Sequence, residues 1–201
     1  NGEQLDGLRR SPQLEGFNAK GVEVLLLTDP IDEFWIPAVG TFQEKPFKSA
    51  ASAGADLGKV AAGDGDGETK PEDEKSGGLD RLIASFKATL GEAVKDVRAS
   101  ERLTDSAVCL VAAEGDMDIY LEKLLKQHQR LGAGMATARI LELNPGHPLV
   151  KRLAALADAD GAEDTLSDAA YLLLDQARII EGETPPDPVA FSQRLASVME
   201  K

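Results

Sequence analysis

The stretch from Leu166 to Met199 constrains this chain more than any other, because it reads as two short amphipathic helices and nothing else. Leu166, Ala170, Leu173, Ala177 and Ile180 fall at three- and four-residue steps, and Leu174 and Ile179 widen the stripe. Ser167 is placed to cap the start, and Gly182 with Pro185 and Pro186 stops the helix. Asp187 followed by Pro188 makes an N-cap and first-turn pair for the second helix, whose stripe is Phe191, Leu195, Val198 and Met199. Helices of three or four turns are marginal alone. Two of them bury one seam against each other and leave a second apolar edge wet. Either the hairpin packs on its own domain, or a matching pair from another copy closes a four-helix bundle about a two-fold axis. The second reading makes Leu166, Ala170, Leu173, Leu174, Ala177, Ile180, Phe191, Leu195, Val198 and Met199 the dimer contacts.

Composition narrows the function. A chain of 201 residues with a formal net charge of −13 is a poor partner for nucleic acid or an anionic membrane, which need clustered Lys and Arg. No apolar run reaches the ~20 residues of a membrane span. The single Cys109 rules out an internal disulfide and fits a reducing cytoplasm. The chain opens on Asn1 inside a helical pattern, which reads as a piece of something longer.

Residues 1–49 read as a small αβα unit. Helical segments come first, with Ser11 and Pro12 opening the second and Leu14 and Phe17 on its apolar face. Val22–Leu27 is a near-continuous apolar run of strand length, suited to a strand covered on both faces. After Thr28-Asp29-Pro30, Asp32 and Glu33 open a helix carrying Phe34 and Trp35 that Pro37 disturbs, and Lys45–Lys48 offers an edge strand.

Ser11-Pro12-Gln13-Leu14-Glu15 and the string from Lys20 through Thr28-Asp29-Pro30-Ile31-Asp32-Glu33-Phe34 resemble the late middle domain of the ninety-kilodalton heat-shock chaperone family, in its bacterial form. Arg102–Ala107 and Leu143–Lys151 resemble that family's C-terminal domain. The resemblance implies a homodimer that contacts unfolded or partly folded clients and works beside the seventy-kilodalton chaperone system. It also implies ATP and magnesium in the full-length parent, bound in a region upstream of this one. This chain itself is then expected to hold no cofactor and to be no enzyme.

Residues 50–78 are mostly Ala, Gly, Ser and acid, too poor in apolar area to offset ordering entropy, and read as a linker. Asp64, Asp66 and Glu68 suggest a calcium loop, but Thr69 stands where the sharp turn needs Gly. Residues 79–201 read as a mixed α/β domain ending in the helical hairpin. Leu79, Leu82, Ile83, Phe86 and Leu90 form a helix stripe stopped by Gly91. Val94–Ala99, Ala107–Ala112 and Ile140–Leu143 read as strands, the second so apolar that it should be central, with Cys109 a core residue within it. Asn144–His147 turns into a helix from Pro148.

Asp116 is placed to cap a helix from Met117 to about Arg130. Its Met117, Leu121, Leu124 and Leu125 face either packs on the sheet or is left as an adaptable binding surface. The family resemblance implies the latter, and implies a second client patch at Glu33, Phe34 and Trp35. His128 and His147 lie far apart and with one Cys make no zinc set. Gly132-Ala133-Gly134 lacks the strand-turn-helix context of a nucleotide loop. The rival to the chaperone reading is a small α/β enzyme whose Asp29, Asp32 and Glu33 work as acid and base at the end of strand 22–27. Those acids serve equally as helix N-terminal residues.

Overall fold

Ser11 sets the geometry of the first unit. Its side chain accepts from the Gln13 amide at 3.3 Å, and Pro12 has no amide to leave unpaired at the start of a 3-10 turn over Pro12–Leu14. The computed structural model describes residues 4–54, 57, 76–127, 137–159 and 161–200. In it the turn follows α1 (Leu5–Arg9) and runs into α2 (Glu15–Ala19), which buries Phe17 beside Leu14. Gly21, at φ +66°, then reverses the chain, a conformation only glycine adopts cheaply.

The expected strand over Val22–Leu27 does not form. The run is irregular, pairs with no strand among the described residues, and leaves Leu25 67% exposed. An apolar pattern can cover the faces of a strand, but it cannot supply the ladder partner that satisfies the strand's amides. The first unit is therefore helical without the central strand of an αβα layer. α3 (Asp32–Val39) follows and keeps Pro37 inside its last turn. Gly40 ends it, and β1 (Thr41–Phe42) pairs antiparallel with β2 (Lys45–Pro46). The two-residue turn between them holds Gln43 at φ 49° and Glu44 at φ 64°, both in the region that a twisted hairpin demands.

The body is α+β. α4 (Ser76–Leu90) precedes β3 (Asp96–Ala99), β4 (Val108–Val111), α5 (Ile119–Gln127), β5 (Ile140–Leu143), α6 (Pro148–Leu156), α7 (Glu163–Ile180) and α8 (Pro188–Met199). The sheet order is β3-β5-β4, with β5 parallel to β3 and antiparallel to β4. So β5, not the apolar β4, is central. β4 is apolar because both its faces are covered: Val108 and Leu110 join the cluster under α4 and α7, while Cys109 and Val111 join Leu103 and Ile140 on the other side.

Part of the expected linker pairs with the chain that leaves this sheet. The Ala53 amide donates to Ala112 O at 2.8 Å and the Ala112 amide to Ala51 O at 2.9 Å, so residues 51–53 form a parallel bridge with Ala112, just past the end of β4. Leu57 is 2% exposed. A tether reading fails for residues 50–54 and 57, because backbone pairing needs no apolar side chains. The acidic run with Asp64, Asp66, Glu68 and Thr69 lies outside the described residues, as do His128 and Gly132-Ala133-Gly134.

Caps follow local chemistry, with some corrections. His147 Nδ1 accepts from the Leu149 amide at 3.2 Å and so caps α6. α5 starts at Ile119 rather than Met117, and Asp118 caps it through the Tyr120 amide at 2.9 Å. Asp116 instead pairs with Lys95 at 2.7 Å. α7 starts at Glu163, three residues before the apolar stripe, so Ser167 lies inside the helix and caps nothing.

Candidate functional site

α7 corrects the expected dimer seam. Leu166, Ala170, Leu173, Leu174 and Ala177 are each at most 6% exposed, in one cluster with Phe86 of α4 and Leu110 of β4. They are this chain's own core. An 18-residue helix lays its stripe against α4 and the β4 side of the sheet and finds its partner there.

What remains uncovered is α8 and the end of α7. Gly182, at φ +78°, turns the chain, and Asp187 Oδ1 accepts from the Ala190 amide at 2.9 Å to start α8 as expected. No residue of α8 is buried. Arg194 holds the helix to α7, its guanidinium 4.3 Å above the Tyr171 ring and 3.7 Å from Asp168. Ile179 and Ile180 at the end of α7 and Val189, Leu195, Val198 and Met199 on α8 are exposed, with Met199 at 79%; Phe191 is half-buried. Six large apolar side chains over residues 179–199 are more than a surface needs by chance.

The α5 face is neither core nor free surface. Met117, Leu121, Leu124 and Leu125 are half-buried, and the fully buried side is Ile119, Tyr120 and Glu122. Glu122 is held by Lys126 at 2.5 Å and lies 3.7 Å from Arg139. In the first unit Phe34 and Trp35 are exposed, whereas Glu33 is buried and leaves the expected surface set. The Trp35 indole donates to Asp32 Oδ1 at 2.7 Å and its ring meets Phe47 edge-on at 6.2 Å. Leu25, Ile31, Val39 and Phe42 of the same unit are exposed as well. Sequence reading missed them, although Ile31 and Val39 lie within five residues of the aromatic pair. Ser49 links the two neighbourhoods: its hydroxyl donates to Asp118 Oδ2 at the start of α5 at 2.5 Å.

The acids of the rival enzyme reading are turn residues. Asp29 Oδ1 accepts from the Ile31 amide at 3.0 Å, and Asp32 Oδ2 accepts from the Asp29 amide at 3.1 Å. No strand end presents them to a substrate.

A buried ionic centre lies behind β5. Glu142, 2% exposed, receives Arg98 Nη2 at 2.6 Å, Ser100 Oγ at 2.8 Å and Arg102 Nε at 3.1 Å. Arg102 also donates to the carbonyls of Ala50 and Ser52. Burial first, and the Glu142 charge second, push the Cys109 thiol well above its usual range, so it stays protonated as a core residue. Among the described residues no cluster of His, Cys, Asp and Glu could hold a metal. Arg98 and Arg102, which line the cavity beside Gly54 and Leu57, are turned onto Glu142 rather than presented to a phosphate. A nucleotide with its metal does not fit this donor set.

Glu181 at the end of α7 is titratable near neutrality. Burial raises its carboxyl to about 7; Arg139 and Lys123 oppose this, and Glu183 and Asp118 add to it. A raised acid favours the folded state below its unfolded value and loses that contribution as pH climbs through about 7. Stability should therefore fall between pH 5 and 8, most of it below about 7, and Glu181→Gln should flatten that fall and gain about 1–2 kcal/mol at pH 8. Urea melts at both pH values check it; an unchanged pH slope in the variant would contradict it.

Among the described residues no helix is long and apolar enough to cross a membrane. A family model described as Hsp90 protein matches residues 1–201. The chaperone protein HtpG of Paramagnetospirillum magneticum is 60% identical over 200 residues, covering 100% of this chain and 32% of its own length. The HtpG proteins of Rhodospirillum rubrum and Roseobacter denitrificans are 52% identical over 205 residues and 50% over 201, covering 100% and 99% of this chain and 32% of each relative. The chain spans about a third of the length of the curated relatives it matches. The match overturns the expectation that the chain is no enzyme, since the family it points to hydrolyses ATP. With a family model matching from end to end and relatives at half identity or more, the chain belongs to the Hsp90 protein family.

Proposed function

We propose that this chain is part of an HtpG-type molecular chaperone of the cytoplasm. Residues 1–49 form the end of its middle domain, 50–78 the connecting segment, and 79–201 the C-terminal domain that joins two copies. The observation that carries the reading is α8: an amphipathic helix with no buried residue and with Leu195, Val198 and Met199 exposed beside Ile179 and Ile180. Burying that row against its two-fold mate removes apolar area worth ~25 cal/mol per Å² from water. The Phe34 and Trp35 patch and the half-buried Met117, Leu121, Leu124 and Leu125 face offer apolar contact to unfolded clients, and soft Met and Leu side chains suit varied partners. The whole protein works with ATP and magnesium and passes clients to or from the seventy-kilodalton chaperone system.

Sedimentation velocity at micromolar concentration tests the reading. The chain should run as a dimer. Leu195→Glu should run as a monomer with a nearly unchanged melt, because Leu195 has little of its own chain to lose. A wild-type monomer, or a dimeric Leu195→Glu, would refute it.

A further inference from the structure

Apart from the Ser49–Asp118 bond, the side-chain hydrogen bonds that hold the first unit on the body come from one short segment. The Gln13 side-chain amide donates to Leu110 O of β4 at 2.8 Å and to Glu181 Oε1 at the end of α7 at 2.9 Å. The Glu15 carboxylate accepts from three successive amides, Thr104 at 2.8 Å, Asp105 at 2.9 Å and Ser106 at 3.1 Å, and from the Ser106 hydroxyl at 2.5 Å. Gly16 lies so close to the body that a Cβ there would stand 2.7 Å from Arg102 O. Lys20 Nζ adds a bond to Leu57 O at 2.5 Å.

Three consecutive amides and a hydroxyl aimed at one point make an anion receptor. Here its occupant comes from about 90 residues away in the chain. Burial opposes the charge on Glu15, but the Ser106 hydroxyl and the three amides outweigh it and hold the carboxyl below its usual range. α2 has only five residues, so the segment has little helical stability of its own and is held in place mainly by what it docks against. Phe34 and Trp35 follow it in the chain; β4 and α7, which receive Gln13, belong to the core that carries α8.

We propose that Gln13–Gly16 is a releasable latch, in which Glu15 plugged into the 104–106 amides fixes the orientation of the first unit on the body. Charge-assisted hydrogen bonds are the strong kind, and all of those made by Glu15 to the loop break together when the carboxylate leaves. The opened state keeps the body's core intact, since none of these residues belongs to it.

The test uses the whole chain with Lys45→Cys and Lys151→Cys, both exposed positions on the two units, labelled for energy transfer and diluted into excess unlabelled chain. Cys109 is buried and does not compete. Adding Glu15→Ala should raise the low-transfer population roughly tenfold or more, because the lost bonds are charge-assisted. Acetate should restore the docked population, since it refills the receptor with a carboxylate; chloride at equal ionic strength should not. Gly16→Ala keeps the carboxylate but forces the segment off Arg102, so it should open the unit without acetate rescue. Unchanged transfer in both variants, or equal effects of acetate and chloride on Glu15→Ala, would overturn the latch. If Glu15→Ala loses the cooperative melt of the body, Glu15 is a fold determinant and the proposal fails on that ground.

Discussion

Leu173→Glu is expected to unfold the body of this protein rather than release a folded monomer. Leu173 is 4% exposed, in one cluster with Phe86, Leu110 and Leu143. Removing a buried leucine costs about 2.7–5 kcal/mol before any charge is considered. Glutamate in that apolar cluster adds the desolvation of a carboxylate, several kcal/mol more. A domain stable by roughly 5–15 kcal/mol does not absorb both. Near-UV circular dichroism and urea melts, run beside Leu195→Glu, give the answer. A cooperative Leu173→Glu melt within about 1 kcal/mol of wild type would show that α7 is not core. The contrast between two leucines on adjoining helices is what a stripe on the sequence cannot express.

Glu142→Ala comes next in expected size. Glu142 answers Arg102, itself 3% exposed, together with Ser100 and Arg98. Breaking one side of a buried pair leaves an uncompensated charge and costs about 3–5 kcal/mol, whereas replacing both sides with apolar groups is often nearly neutral. Glu142→Leu with Arg102→Met should therefore recover part of the loss. Recovery stays incomplete, because Arg102 also holds the Ala50 and Ser52 carbonyls just past the end of β4. Thermal melts of the single and double variants decide it. A Glu142→Ala melt equal to wild type would mean that the centre contributes nothing to stability.

Features settled within a few residues were legible in the sequence. Asp187 caps α8 because a side-chain acceptor next to a proline start needs only its own amides. Gly182 ends α7 for an equally local reason, a positive φ. Glu15 and Gln13 gave no signal, because in the sequence they look like ordinary first-turn residues. Their partners lie about 90 residues or more away.

The amphipathic stripes, the core position of Cys109 and the mix of helices and strands were determined by the sequence alone, since period, propensity and capping are properties of neighbouring residues. Which partner each stripe meets was decided only by the tertiary structure. α7 turned its leucines into its own core and left α8 wet; Val22–Leu27 pairs with no strand among the described residues; Ala51–Ala53, almost featureless as sequence, bridges to Ala112 just past β4. An apolar side chain specifies that it will leave water, not what it will leave water for, because hydrophobic burial has no direction.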